Sequence, residues 1–169
     1  EPAPAEGAGE AEEPGLLQLM RSRFAVSVEI DPPRGIQTQK VMAGARLMAE
    51  RGVDCINIAD SPMARIRMSA MALAYQIRRE LPAMELILHY TTRDRNLMAL
   101  QSELLGAHAL GLRNILCLTG DHQTFGNHPQ AKNVHDIDSL QLVQMVVGLR
   151  DRSCFQCGEE IKGVNPRFF

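Results

Sequence analysis

The sequence predicts an α/β protein, a (β/α)8 TIM barrel of which about the first four βα units are present. Two observations predict a parallel sheet, and a third favours the barrel. Four strand-like runs alternate with helical stretches, the pattern of parallel strands joined by helical crossovers. Each of those strands ends in polar residues, at the edge where both open parallel sheets and barrels carry their active sites. The first strand also shows one face of Ala25, Ser27 and Glu29. That small-then-polar face suits a crowded barrel interior better than a doubly wound sheet, whose strands are apolar on both sides.

The elements follow in order. Residues 1–15 are Pro, Ala, Gly and Glu without apolar periodicity, a composition that cannot offset the entropy of ordering, so they are expected to form a disordered arm. Leu16–Arg23 reads as a short helix. Phe24–Ile30 alternates as a strand until Asp31, Pro32 and Pro33 stop it, because proline cannot donate to a ladder. Gln39–Arg51 spaces Val41, Ala45 and Met48 for one buried helix face, with Gly52 as its stop. Val53–Asp60 is the second strand. Ser61 followed by Pro62 predicts the start of the next helix, running to Leu81. Met84–Thr92 is the third strand, Asn96–Leu110 the third βα helix with Asn96 as its cap, and Arg113–Asp121 the fourth strand. A loop, 122–138, leads to the helix Ser139–Leu149. The tail from Arg152 to Phe169 approaches a fifth strand.

Composition narrows the function. The chain has 169 residues, 45% hydrophobic and 22% charged, enough for one sizeable core. A net charge of −2 offers no clustered basic face for nucleic acid. No apolar run approaches the roughly 18 residues of a membrane span, and no secretory signal is visible. Cys55 and Cys117 lie in apolar strands, where a thiol behaves as a small hydrophobe. With no disulfide framework in view, a reducing, cytoplasmic location is expected. Cys154 and Cys157 have C-x-x-C spacing, but no second such pair completes a four-ligand zinc site, and no metal is expected. Met63, Met68 and Met71 read as core filler. The first residue is Glu1 and the last segment is "NPRFF", so the chain is expected to be a fragment.

The polar residues at the strand ends are Glu29, Asn57 and Asp60, His89 and Thr91, and Thr119 and Asp121. Each has two readings. Glu29 caps a turn or pairs with Arg34; alternatively its face turns it inward, where burial raises a carboxyl pKa and suits it to general acid work. His89 is a core histidine satisfied by a carbonyl, or a site group. Gly120–Asp121 is a turn, or Gly120 lets a planar ligand approach the backbone while Asp121 sets the charge beside it.

Five stretches, "VSVEIDPPRG", "INIADSPMARIRMS", "LHYTTRDRN", "LGLRNILCLTGDH" and "VHDIDSLQLV", occur in an order and at spacings that resemble the methylenetetrahydrofolate reductases. The resemblance runs from Phe24 to Phe169. It is closest to the branch found alone in acetogenic and anaerobic microbes or fused to homocysteine methyltransferases, and residues 16–169 correspond to the N-terminal half of that barrel. It implies bound FAD and the reduction of 5,10-methylenetetrahydrofolate to 5-methyltetrahydrofolate, in methionine or acetyl-CoA metabolism. Electrons would come from NAD(P)H or a redox partner protein. By the same resemblance, Glu29 is the catalytic acid that protonates the folate as its five-membered ring opens, and Asp121 is a second catalytic residue beside the flavin. His89, Thr119 and Gly120 are flavin contacts. Asn57, Ile58 and Asp60 lie where the second strand's loop meets flavin or nicotinamide, and His135 and Asp136 lie near the adenine end. Many family members have threonine at Asn57 and arginine at Thr119, so those contacts differ here. Two other expectations stand beside this one: a non-catalytic half-barrel that assembles with a second copy or a partner subunit, and a pterin-binding methyltransferase barrel.

Overall fold

The computed structural model describes residues 15–163 and 165–169. The expected arm at 1–15 lies outside the described residues except for Gly15, which opens the first helix. In chain order the elements are α1 (Gly15–Ser22), β1 (Ser27–Ile30), α2 (Gln39–Glu50), β2 (Cys55–Ile58), α3 (Ala70–Glu80), β3 (Glu85–Thr91), α4 (Leu97–Ala109), β4 (Asn114–Leu118) and α5 (Ser139–Asp151). Short 3-10 turns occupy Pro62–Ala64 and Gln123–Phe125.

The four strands form one parallel sheet in the order β1-β2-β3-β4. Each new strand is added on the same side of the last, with no reversal of direction. The next place is already marked. Phe169 N–H donates to Arg113 O at 2.9 Å and Ile115 N–H donates to Phe169 O at 2.8 Å, the bonding of a parallel neighbour to β4.

One face of the sheet carries the main core. Ile56, Ile58, Leu86 and Leu88 pack with Met42 and Ala45 of α2 and with Leu73, Ala74 and Ile77 of α3. Further along, Tyr90 packs with Leu100 and Leu104 of α4, Leu142 and Leu149 of α5, and Phe168. The register puts Ser27, Glu29, Asn57, Ile87, His89 and Leu116 on the opposite face. Over the amino-terminal part of that face lies α1, whose Leu16, Leu17 and Met20 line a cavity of about 260 Å³ with Ile87 and Leu116.

Two expected boundaries move. The first strand begins at Ser27 rather than Phe24, because the Asp54 carboxylate takes the Val26 amide at 2.8 Å before the ladder begins. The helix predicted from Ser61 begins at Ala70 instead. Ser61, Met63 and Ala64 have φ of 47°, 55° and 53°, left-handed values that no α-helix tolerates. Ser69 is the true cap, accepting from Ala72 N–H at 3.4 Å. Met68 and Met71 pack partly into the core as expected, but Met63 is 59% exposed on that turn. Asn96 caps α4 as expected, accepting from Ala99 N–H at 2.9 Å.

Candidate active site at the carboxyl ends of the strands

Parallel register sets Glu29 directly beside Asn57, and His89 one step further along the same face of β3. His89 Nε2 lies 3.4 Å from Asn57 Oδ1, so the ring tautomer protonated at Nε2 donates to the amide oxygen. His89 is buried, and burial pulls its pKa below the ordinary value against the raising pull of the Glu29 and Asp60 carboxylates. The imidazole is therefore held towards its neutral form. Glu29 corrects the expectation of a buried carboxyl: it is exposed, because among the described residues no element covers this end of the open face. It makes no side-chain hydrogen bond or ion pair with the described residues, so the reading that pairs it with Arg34 is not what the structure has.

Asp60 sits at the end of β2 but turns away from that open row. Its Oδ2 accepts from Thr91 N–H at 3.2 Å, from Thr91 Oγ1–H at 2.9 Å and from Arg95 Nη1–H at 2.6 Å. Arg95 also donates to Glu103 at 2.8 Å and lies 4.6 Å from the centre of the Tyr90 ring. Burial works against the Arg95 charge, and Asp60 and Glu103 outweigh it, holding the guanidinium above its ordinary value. Asp60 is thus a support that fixes the end of β3. Ile58 faces the other way. Its side chain is fully buried in the helix-side core, leaving only its backbone for any ligand.

Asp121 has a different partner. Its Oδ2 accepts from Met63 N–H at 2.7 Å, so the β4 loop holds the strained β2 loop. Asn127 Oδ1 accepts from Ile66 N–H at 3.1 Å, and Arg93 Nη1 donates to Ser61 O at 3.3 Å. Gly126 lies under the same turn, where an added Cβ would stand 1.9 Å from Ala64 O. Gly120 has φ +91°, and the space its Cβ would need is taken by Thr91 and Arg93 side chains. On its Cβ side, Gly120 is therefore approached closely by protein.

The remaining candidates stand on the outer side of the rim. Thr119 Oγ1 accepts from Ser139 N–H at 3.1 Å and anchors the start of α5. His135, at φ 43°, has Nδ1 3.4 Å from Thr92 Oγ1, and Asp136 Oδ2 accepts from Leu97 N–H at 3.0 Å at the start of α4. The structure thus joins Glu29, Asn57 and His89 into one row and gives Asp60, Asp121, Thr119 and Asp136 to the loops that frame it. Arg93, Arg95, Gly126 and Asn127 are the framing residues that pattern reading misses. The R-D-R run directly after the third strand is the one visible trace of them.

Gln123, 5% exposed in the turn after Asp121, has both amide atoms buried without a hydrogen-bond partner, and Asn133 Oδ1 is in the same condition. Cys55 and Cys117 are pushed up by burial to about 12 and about 11, so neither is a thiolate nucleophile at neutral pH. Among the described residues no group of three His, Cys, Asp or Glu side chains is placed to hold a metal ion, and no helix is long and apolar enough to cross a membrane.

A singly wound parallel sheet with a polar row at its carboxyl edge belongs to the class of α/β proteins that bind and transform ligands at that edge. The chain is a member of the methylenetetrahydrofolate reductase family, whose model matches residues 16–158. Membership supports a reductase-like function on folate. Comparison with individually curated proteins gave no match.

Proposed function

We propose that this chain is the N-terminal half of a (β/α)8 barrel that reduces 5,10-methylenetetrahydrofolate to 5-methyltetrahydrofolate with FAD, in cytoplasmic one-carbon metabolism. The observation that carries the reading is the row of Glu29, Asn57 and His89 on the sheet face opposite α2, α3, α4 and α5. In a closed barrel that face is the interior, and its carboxyl edge is where substrate is bound.

The residues present fit a flavin. His89 and Asn57 offer hydrogen-bonding groups on the open face. Gln123 is a buried amide without a partner, the state of a group that a polar ligand satisfies. When bound, the flavin supplies hydride transfer, which no side chain can provide.

The chain's own residues do the rest. Glu29, at the open edge, delivers a proton to the folate nitrogen released as the five-membered ring opens. His89, held neutral and hydrogen-bonded to Asn57, orients that face without adding a positive charge beside the reacting carbon. Asp121 fixes the β2 loop through Met63 at the edge of the site.

The test uses the protein carrying this chain together with the strands that follow it. Purified, it is yellow, its flavin is bleached by NAD(P)H or a reduced redox partner, and methylenetetrahydrofolate restores the colour. Glu29→Gln keeps the flavin and loses folate reduction. A protein that cannot be reconstituted with FAD overturns the reading, and folate turnover at the wild-type rate in Glu29→Gln removes the acid role.

A further inference from the structure

The opposite end of the sheet holds a second polar cluster that the folate reading does not use. Arg78 lies in the last turn of α3, Arg113 immediately before β4, and Arg167 immediately before the Phe168–Phe169 pair docked against β4. The parallel topology brings these three amino-terminal approaches together, and their side chains line one cavity of about 270 Å³.

The guanidinium groups are poorly compensated. Arg78 donates one bond, to Met84 O at 3.4 Å, and Arg113 spends Nη1 on His108 O at 2.6 Å and Leu112 O at 3.2 Å. Arg167 makes no hydrogen bond or ion pair with the described residues. Each guanidinium has five N–H donors, so most of them have no partner among the described residues. Among the described residues Glu85 is the one carboxylate in the lining, and its Oε2 accepts from Asn114 Nδ2–H at 3.0 Å. The crowding of like charge registers on its neighbours. Burial and the Arg78 charge hold Arg113 below the usual guanidinium range, and burial, Arg113 and Arg167 together lower the pKa of His108.

We propose that this cavity is a binding site for a small phosphate-bearing anion, held by Arg78, Arg113 and Arg167 at the end of the sheet remote from the folate site. Arginine forks match phosphate oxygens in pairs, and bringing such an anion among them satisfies the unspent donors and relieves the repulsion at once. The volume lies at the small end of ligand pockets, which fits a phosphate ester or a diphosphate and excludes a dinucleotide. Glu85 sets a limit on the charge the site tolerates and restricts it to ligands that avoid the Asn114 side.

Calorimetric titration with pyrophosphate of the protein carrying this chain together with the strands that follow it tests the proposal, with ionic strength held constant by sodium chloride. Saturable binding at one site is expected. Arg167→Gln, which breaks no hydrogen bond or ion pair with the described residues, weakens it by roughly tenfold or more, as loss of a charge-assisted hydrogen bond does. Glu85→Gln tightens it, since the amide oxygen still accepts from Asn114 while the negative charge is gone. Circular dichroism checks that both variants keep the fold. Heat no greater than that of chloride at equal ionic strength overturns the proposal, and so does an Arg167→Gln protein that binds pyrophosphate as the parent does.

Discussion

The Asp60 carboxylate and the Arg95 guanidinium meet at 2.6 Å with side chains only 7% and 17% exposed, and they lock the end of β2 to the start of the β3 loop. Thr91 closes the arrangement by donating both its amide and its hydroxyl to the same carboxylate oxygen. A pair this buried is held by several hydrogen bonds, and removing one member leaves the other charge without compensation. Asp60→Asn is therefore expected to cost about 3 kcal/mol in urea unfolding. Arg95 keeps Glu103 in that variant, which sets the loss at the lower end for buried pairs. A change of less than half that size shows that water already reaches the pair.

Gly126 makes a second, steric prediction. A Cβ there would stand 1.9 Å from Ala64 O and 2.7 Å from Ala64 C, both backbone atoms that cannot swing aside. Gly126→Ala must push the Pro62–Ala64 turn away from the β4 loop, stretching the Asp121–Met63 and Asn127–Ile66 hydrogen bonds. Overpacking of this kind costs about 1–3 kcal/mol. Amide hydrogen exchange should speed up at Met63 and Ile66 while the core strands keep their protection. Unchanged exchange at both amides defeats the clamp.

The sheet was legible because strand alternation and apolar helix spacing are local signals, and each strand carried them at Ile56 and Ile58 or at Leu86 and Leu88. The row of Glu29, Asn57 and His89 was legible for a related reason: period-two alternation fixes which face a residue takes. Burial was not legible. Nothing in the residues around Glu29 states what covers the open face, so a carboxyl on an inward face was read as buried. The false helix start at Ser61–Pro62 has a similar origin. That dipeptide is a sound local signal, and it is overridden by contacts from Arg93, Asp121 and Asn127, all at least 30 residues away. The partners of Asp60, Thr91 and Arg95, lie on the next strand and its loop, so the clamp they form leaves no local pattern around Asp60.

Phe168 tests how far the tail belongs to the fold. It is fully buried with Leu104, Leu142 and Leu149, and its ring meets His108 edge-on at a centroid distance of 5.8 Å. Phe168→Ala removes that contact and leaves a cavity, at an expected cost of about 3–4 kcal/mol in chemical denaturation. The adjoining Phe169 bonds to Arg113 and Ile115 loosen with it, so proteolysis after residue 160 should accelerate. A variant with parent-like stability shows that the tail docks without supporting the core.

His89 gives the pH dependence. Burial sets its folded pKa below the unfolded value, so the folded state binds the proton less readily than the unfolded chain does. Above the unfolded value, about 6.5, both states are neutral and the stability is fully present. As pH falls below that point the unfolded chain takes up the proton first, and stability declines until the folded His89 also titrates. Below the folded value the loss levels off. His108 is lowered as well and contributes in the same direction. The unfolding midpoint in urea, followed from pH 7.5 down to pH 5, should therefore fall most steeply below about 6.5. His89→Gln should flatten that slope without removing it, because the amide can still donate to Asn57 Oδ1 and His108 still titrates. A His89→Gln protein with the parent's full slope places the titration elsewhere and withdraws the neutral imidazole from the site.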